Sequence, residues 1–326
     1  MKRWIIAATL VLVLLVGGML GAAAWLRAAA ARPGPLQVAK AVMVPRGTTE
    51  TLALALLQDG IIDQPLLFRA VAWASRDQGK LRAAEFAFPA HASMNEVLAI
   101  LRTARPVEHK VTIAEGLTAI QIKAVLARAE ALAGAVPDFP DGAILPDTYT
   151  YERGASVASI VARARTAMDR TVSAAWANRA ANLPLGSQQE ALVLASIVER
   201  ETAKPSERAH VAAVYLNRLR QGMRLQADPT VVYAVSGGAG TLDRPLSKTD
   251  LARDDPFNTY RNPGLPPGPI CAPSAASLDA VLHPAASDDL YFVADGSGGH
   301  NFSRTLETHE AAVARWRALP PRPQHD

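Results

Sequence analysis

The longest apolar run in the chain lies close to its N-terminus, from Trp4 to Leu26. At about 23 residues it is long enough to cross a bilayer as a helix, with tryptophan near both ends, where interfacial aromatic side chains are common. The run exceeds the roughly 7 to 15 apolar residues of a cleaved signal peptide, so we expect an uncleaved anchor over residues 1–27. Small residues at 22–24 and 28–30 would suit cleavage and keep a signal peptide as the alternative. Lys2 and Arg3 favour a cytoplasmic N-terminus, which places the bulk of the chain outside.

Beyond the apolar run, short segments with strand-like and helical periodicity alternate. We expect a linker over 28–37, a small α/β module over 38–135 and an ordered connection, rich in proline, aspartate and glycine, over 136–155. The strands and helices predicted in the module are Val38–Val44, Thr49–Asp59, Gln64–Ser75, Glu85–Phe88 and Ser93–Leu101, followed by a strand and glycine turn over Lys110–Gly116 and a helix over Thr118–Leu132.

Helical periodicity dominates from residue 156 onward. The helices predicted there are Ser156–Arg179, Ser187–Lys204, Ser206–Arg220, Ser274–Leu282 and Leu306–Leu319, with a short strand at Leu290–Ala294. Between 225 and 270, about 45 residues show little periodicity and mix polar, turn-forming and aromatic residues. Such long loops are usually functional or disordered, and the apolar residues favour order, so we interpret the tract as the wall of a cleft. The chain is thus predicted to be an α+β protein with a mainly helical domain over 156–320 and a tail over 321–326.

The helix that begins at Ser187 carries a carboxylate into its own apolar face. With about 100° of rotation per residue and Leu194 taken as zero, Glu201 lies near −20°, inside the apolar stripe, and Glu199 lies near 140°, away from it. Apolar surroundings and the negative end of the helix dipole both raise the pKa of a carboxyl group. Glu201 is therefore a candidate general acid. The alternative is a partly exposed Glu201 that pairs with Arg200 or Lys204 at a fraying helix end.

Composition excludes several other chemistries. The net charge of +4 comes from cations spread through the chain, which argues against nucleic acid as a partner. The seven histidines lack metal-ligand spacing, so we expect no metal site. Neither a phosphate-binding glycine loop nor a G-x-S-x-G nucleophile motif is present, and we expect no cofactor. Carboxylate chemistry remains.

A second carboxylate would be needed for ordinary glycoside hydrolysis. Asp228 is the best candidate, but Asp228-Pro229-Thr230 is typical of a helix start, with aspartate as the N-cap and proline at the first helical position. We therefore interpret Asp228 as structural, which leaves Glu201 to act alone.

Eight short motifs, in order over about 110 residues, resemble those of the endolytic murein transglycosylases. They are Leu194-Ala-Ser-Ile-Val-Glu-Arg-Glu-Thr202, Val214-Tyr-Leu-Asn-Arg218, Met223-Arg-Leu-Gln-Ala-Asp-Pro-Thr230, Phe257-Asn-Thr-Tyr260, Gly264-Leu-Pro-Pro-Gly-Pro-Ile270, His283-Pro284, Tyr291-Phe-Val-Ala294 and Gly299-His-Asn-Phe302. The resemblance implies a lysozyme-like catalytic domain preceded by an anchor and a LysM-like module. In the E-x-E-T signature of that family the catalytic acid is the second glutamate, which is Glu201 here. Two departures are Ala84-Glu85 and Ser274, at positions where the family often has glycine.

The resemblance also implies a substrate and a place of work. The enzyme would cut nascent peptidoglycan strands internally beside the peptidoglycan synthases, on the periplasmic or outer face of the cytoplasmic (inner) membrane, and so help set strand length. The C6 hydroxyl of N-acetylmuramic acid would attack its own C1 and leave a 1,6-anhydro end. Gln226, Asn258 and Tyr260 are expected to line the glycan cleft, and Tyr291 to offer a stacking face; loop ordering and core packing are the alternatives for these four. A hydrolytic muramidase that uses Asp228, and a non-catalytic scaffold that binds peptidoglycan or synthases, remain as alternative functions.

Overall fold

The computed structural model describes residues 2–318. The predicted tail over 321–326 and the last residues of the predicted closing helix lie outside the described residues. Contacts divide the chain into two compact units, one formed by 1–109 with 151–154 and the other by 110–150 with the residues from 155 onward. Helices and short strands occur in both units, as expected for an α+β protein.

The first helix, α1 (Lys2–Ala30), contains the N-terminal apolar run. Its large apolar side chains are exposed as far as Trp25, and within residues 2–318 it is the one helix long and apolar enough to span a membrane. The helix continues past the predicted end of the anchor at residue 27. Ala29 and Ala30 are buried in the core of the first unit, and Leu26 packs against that core. The predicted linker therefore begins as helix.

The rest of the first unit is built on a βααβ arrangement. The strands β1 (Lys40–Met43) and β2 (Glu85–Phe88) pair antiparallel, with Lys40 opposite Phe88 and Met43 opposite Glu85. Between them lie α2 (Thr49–Gln58) and α3 (Pro65–Ala74), and α4 (Met94–Thr103) follows β2. The apolar faces of these helices cover the strand pair and form one core, whose fully buried members include Leu56, Ile61, Phe68, Phe86, Phe88, Val97 and Leu101.

The boundary between the units falls within two paired strands, β3 (Glu108–Ile113) and β4 (Asp147–Glu152). The helix α5 (Ala119–Arg128) follows β3 and belongs to the second unit. Residues 110–135, which the periodicity groups with the small module, therefore make their contacts mainly with the second unit.

The second unit is mainly helical. Its further elements are α6 (Val157–Ala177), α7 (Gln188–Glu201), α8 (Arg208–Arg220), α9 (Asp228–Val235), α10 (Lys248–Leu251), α11 (Ala275–Leu282), the hairpin β5 (Tyr291–Ala294) and β6 (His300–Ser303), and α12 (Leu306–Arg317). The helix α7 is central, because it contacts α6, α8, α9 and α11. Every side chain from Ala191 to Val198 is buried, so α7 has no polar face along these two turns.

The two ends of α7 differ in detail from the sequence prediction. Ser187 caps the first turn by accepting a hydrogen bond from the Glu190 backbone nitrogen at 3.2 Å. The spacing of Ser187 and Glu190 predicts a reciprocal capping box, but the Glu190 side chain accepts from the Gly186 nitrogen, at 2.7 Å, and not from the Ser187 nitrogen. At the other end the helix stops at Glu201 and not at Lys204. Glu201 is thus its last helical residue, at the negative end of the helix dipole.

Candidate active site

The candidate acid, Glu201, has a carboxylate set into the interior of the second unit. Its Oε2 atom is buried and has no hydrogen-bond partner among residues 2–318. Burial raises the pKa of Glu201 to about 7, because desolvation penalises the charged form; a hydrogen bond from the Tyr215 hydroxyl opposes this shift. The group can therefore both give and accept a proton near neutral pH, and its Oε2 atom is not committed to another group of the protein.

The alternative environment for Glu201, an ion pair at a frayed helix end, is not what the structure contains. Arg200 donates to the carbonyl oxygens of Gly116 and Gly240, at 3.3 and 2.7 Å. Lys204 pairs with Glu207 at 3.1 Å. Both neighbouring cations are therefore held by other groups.

Two residues of α8 face Glu201, and neither is an evident site residue in the sequence. Tyr215 and Arg218 lie three residues apart, so they share one face of the helix. Tyr215 is 1 % exposed and Arg218 is 7 % exposed, both unusual for polar residues in the middle of a helix. The quoted motif Val214-Tyr-Leu-Asn-Arg218 contains both, and their i, i+3 spacing was the available signal.

The Arg218 guanidinium is fixed by backbone carbonyls and not by a carboxylate. Its Nε donates to the Leu290 oxygen at 2.7 Å and its Nη1 to the Leu225 oxygen at 2.5 Å. Its positive charge lowers the pKa of Glu201, although less than burial raises it. A buried cation beside the acid favours the carboxylate that forms after the proton has been given up.

Asp228 acts on the site through its charge and through Tyr260. It is the first residue of α9 and makes no capping hydrogen bond, and Ala227 occupies the N-cap position, so the predicted N-cap role of Asp228 is wrong. The exposed Asp228 carboxylate accepts a hydrogen bond from the Tyr260 hydroxyl at 2.6 Å. Its negative charge raises the pKa of Glu201, and the pKa of Tyr260 is raised by burial and by the Asp228 carboxylate.

The four predicted glycan-binding residues occupy different environments. Gln226 is exposed, has a positive φ of 50° and donates its backbone nitrogen to the Thr259 oxygen at 3.1 Å. Asn258 is fully buried, and its amide donates to the Leu251 and Arg253 oxygens, at 3.1 and 2.7 Å. These contacts favour loop ordering over direct ligand contact for Asn258.

The two tyrosines among these residues contact other side chains of the site. Tyr260 is partly buried, and its charge interaction with Glu201 marks it as a neighbour of that group. The ring of Tyr291 lies under the Arg218 guanidinium, with 5.4 Å between the guanidinium carbon and the ring centroid. Its other contact is a stacked His309 ring at 5.1 Å. Within the described residues Tyr291 is thus packed between two side chains, which favours core packing over an open stacking face.

Glu199, the other acid of the signature, is structural. The rotation argument placed it away from the apolar stripe, but its side chain is only 5 % exposed. Glu199 Oε2 accepts hydrogen bonds from the Ser274 nitrogen and hydroxyl, at 2.7 and 2.5 Å, and Oε1 lies 3.5 Å from Arg208 Nη2. It therefore joins the start of α11 to the start of α8. Ser274, the residue that departs from the family pattern, supplies two of these donors.

Metal binding finds no support in the part of the chain that the structure describes, where no group of three or more histidine, cysteine, aspartate or glutamate side chains could hold an ion. The arrangement around Glu201 consists of one carboxyl with a pKa near 7, a tyrosine that hydrogen-bonds to it, a buried cation and a second, exposed carboxylate. Such a set can protonate a leaving oxygen and take a proton back.

Comparison with known proteins connects this site to a family. The sequence profile of the YceG-like family matches residues 42–315. The endolytic murein transglycosylase of Bacillus subtilis is 42 % identical over 130 residues, which is 40 % of this chain and 35 % of the relative. The enzyme of the same description from Streptococcus pneumoniae strain D39 is 33 % identical over 181 residues, or 53 % of this chain and 32 % of the relative. These matches span about a third of the length of the relatives.

A solved structure is similar over most of the chain. The crystal structure of a yceG-like protein from Listeria monocytogenes aligns with a TM-score of 0.52 at 27 % sequence identity. The alignment covers 84 % of this chain and 99 % of the other.

Proposed function

The chain belongs to the YceG-like family, and we propose that it is a lytic transglycosylase that cuts peptidoglycan strands internally, with Glu201 as its acid and base. The observation that carries this proposal is the buried Glu201 carboxyl, whose pKa of about 7 suits both proton donation and proton acceptance. The description of the two relatives as endolytic murein transglycosylases supports the substrate class.

The proposed reaction needs one carboxyl group and no water. Protonated Glu201 gives its proton to the oxygen that links N-acetylmuramic acid to the next sugar, and the C1–oxygen bond breaks. The C6 hydroxyl of the same muramic acid bonds to C1 and passes its proton to the Glu201 carboxylate. The products are a 1,6-anhydro end and a free sugar hydroxyl, and Glu201 is protonated again. Arg218 and Tyr215 stabilise the carboxylate between the two transfers.

The role of the remaining site residues follows from their contacts. Tyr260 is held by Asp228 beside the acid and is the best placed of the four predicted residues to contact a glycan. Gln226 is exposed and could contact it as well. Asn258 orders the loop that carries Tyr260, because its Oδ1 accepts from the Tyr260 backbone nitrogen at 2.9 Å.

The anchor and the first unit suggest where this activity is used. We propose that α1 is a single-pass anchor in the cytoplasmic membrane, with both units on the outer face, where nascent strands and their synthases lie. The βααβ arrangement of the first unit agrees with the LysM-like module that the sequence resemblance implies, and the helical second unit with a lysozyme-like domain. Strand-length control would follow from cutting strands internally while they are still attached.

One digestion experiment tests the reaction and the acid together. Purified full-length protein is incubated with glycan strands, and the products are analysed by mass. We expect anhydro ends, which weigh one water less than reducing ends, and a loss of about 100-fold or more in the Glu201→Gln protein. Reducing ends would instead support a muramidase with Asp228 as its second carboxylate. Full activity of Glu201→Gln would contradict the proposed acid, and an inert wild type would favour the scaffold.

A further inference from the structure

We propose that one face of α3, with the residues that follow it, binds the surface of a membrane containing anionic phospholipids. We call this surface the α3 patch. It consists of Leu66, Arg69, Ala70, Trp73, Arg76 and Lys80, all of which line one groove of the first unit. The inference rests on the proposed membrane anchor. It gives the first unit a contact with the surface of the bilayer in addition to the helix α1 that would span it.

The apolar part of the α3 patch is unusually exposed. Leu66 is 74 % exposed and Trp73 is 69 % exposed, whereas Leu67, Phe68 and Val71 on the opposite side of the same helix are buried. Leu66, Ala70 and Trp73 follow the i, i+4, i+7 spacing of a single helical face. A short apolar helix with an outward leucine and tryptophan has the character of an interfacial element, since tryptophan prefers the headgroup level of a bilayer.

The charged part of the α3 patch is basic. Arg69, Arg76, Lys80 and Arg102 line the groove with the apolar residues. Two acids lie close: Glu50 is 3.4 Å from Arg69, and Asp77 follows Arg76 in sequence. Arg102 is occupied by contacts with Gly79, Gln78 and Ser75. Lys80 has no ion-pair partner within residues 2–318. The balance of charge is therefore positive, which suits anionic headgroups.

The position of α3 beside α1 favours a membrane over other partners. Trp25 marks the end of the exposed apolar run of α1, and it lines a cavity of about 250 Å³ together with Gln64 and Leu67 at the start of α3. The helix α3 also packs directly against α1, and its first residues lie beside the end of the exposed apolar run. Arginine and lysine side chains can extend over the remaining distance to phosphate groups.

Trp73 itself carries a cation. The guanidinium carbon of Arg76 lies 4.6 Å from the ring centroid, so one face of the ring is covered by a positive charge. The other face is open, since Trp73 is 69 % exposed, and the test therefore has to separate a saccharide from lipid.

The test uses full-length protein in lipid nanodiscs and a polarity-sensitive fluorophore on an introduced cysteine. The single native cysteine, Cys271, is buried, so labelling is directed to the introduced site. The label is attached to Ala70→Cys in the patch or, as the matched control, to Leu54→Cys, which is exposed on α2 and lies outside the groove. We expect lipids that carry a quencher near the headgroup to quench the label at 70 at least threefold more than the label at 54 in nanodiscs rich in phosphatidylglycerol. The difference should largely disappear in phosphatidylcholine alone.

Charge variants separate the patch from general attraction to lipid. Arg76→Gln with Lys80→Gln should abolish the excess quenching at 70, whereas Lys40→Gln with Arg105→Gln, which removes the same charge elsewhere in the unit, should leave it intact. Equal quenching at 54 and 70 in protein that remains in the nanodisc would overturn the inference while leaving the anchor in place. Loss of the protein from nanodiscs would refute the anchor and this inference together. A response of the label at 70 to soluble glycan strands, without quenching by lipid, would assign the patch to saccharide and also overturn it.

Discussion

At the scale of single residues, the site is defined by neighbours that shift the pKa of Glu201 in opposite directions. Burial is the largest influence and raises the pKa to about 7. The Asp228 charge raises it further, while the Tyr215 hydrogen bond and the Arg218 charge lower it. The pKa of Glu201 is thus adjusted by side chains of α8 and α9, and each of these three side chains can be replaced separately.

Two conservative substitutions should move the pH dependence in opposite directions. The rate should fall as pH rises through the pKa of Glu201, because the protonated acid is lost. Asp228→Asn removes a negative charge, so the pKa of Glu201 falls and the alkaline limb of the kcat/KM profile should move down by about half to one pH unit. Tyr215→Phe removes a hydrogen bond to the carboxylate, so the limb should move up by a similar amount.

Profiles that move in the same direction, or not at all, would show that these neighbours do not set the acidity of Glu201. The asparagine in Asp228→Asn keeps an oxygen that can accept the hydrogen bond from Tyr260. The substitution therefore removes the charge of Asp228 while Tyr260 keeps its orientation. A collapse of activity in Asp228→Asn at every pH would point to hydrolysis with two carboxylates.

At this scale the sequence indicates Glu201 as the candidate acid but does not indicate its surroundings. Glu201 stands out because a carboxylate at helical spacing lies within an apolar stripe. Tyr215 and Arg218 lie on another helix, and only packing reveals that their polar ends meet Glu201. Asp228 was misassigned because Asp-Pro-Thr favours a helix start without fixing which residue is the N-cap. Asn258 is fully buried because of how its loop folds, which a stretch without periodicity does not reveal.

At the scale of elements, α7 carries two glutamates with separate duties. Glu201 ends the helix in the site, and Glu199, two residues earlier, joins α8 to α11 through Arg208 and Ser274. Glu199 is buried although it lies away from the main apolar stripe, because α7 is surrounded by other helices on several sides.

Glu199→Gln should therefore reduce stability more than catalysis. It removes the nearer of two carboxylates that pair with the mostly buried Arg208, and leaves the more exposed Glu115 at 3.9 Å. Weakening these buried polar contacts should cost about 1–3 kcal/mol of unfolding free energy. The midpoint of denaturant unfolding measures the loss, and kcat/KM is compared under conditions where both proteins are folded. Glu201→Gln is the matched control, since it makes the same chemical change two residues away. A stable but inactive Glu199→Gln protein would mean that the two roles are reversed or shared.

Most elements could be predicted from periodicity, including the βααβ order and all the long helices. The end of α7 could not, because Pro205 permits helix up to Lys204 and only the local fold stops it at Glu201. The sequence predicts no strand at β6, the partner of β5, because His300–Ser303 contains a single apolar residue, Phe302, and so shows no alternation.

At the scale of the whole molecule, the contact-defined boundary at 109–110 lies before the predicted end of the small module at 135. Periodicity identifies β3 and α5 as strand and helix but cannot tell which core they join. The junction after the apolar run was likewise predicted as a linker from Pro33 and Gly34, although α1 runs on into the core of the first unit.

Truncation should reveal this continuity. A chain that begins at Trp25 keeps Leu26, Ala29 and Ala30 in the core, whereas a chain that begins at Pro33 loses them. We expect the shorter chain to lose about 2 kcal/mol of stability in the first unit, from lost apolar burial. Hydrogen exchange over residues 40–103 measures it, with the Trp25 chain as the control. Equal protection in the two chains would show that the end of α1 does not support this core.

The absence of a flexible joint after Trp25 has a consequence for how substrate is encountered. A disordered linker of ten residues would separate the first unit from the end of the membrane helix by a root-mean-square distance of about 17 Å, and this distance would fluctuate. With α1 as the proposed anchor, the first unit is instead attached directly to a continuous helix, which holds it at a fixed distance from the bilayer. Its search for substrate becomes a two-dimensional one, set by how fast the whole chain diffuses in the plane of the bilayer.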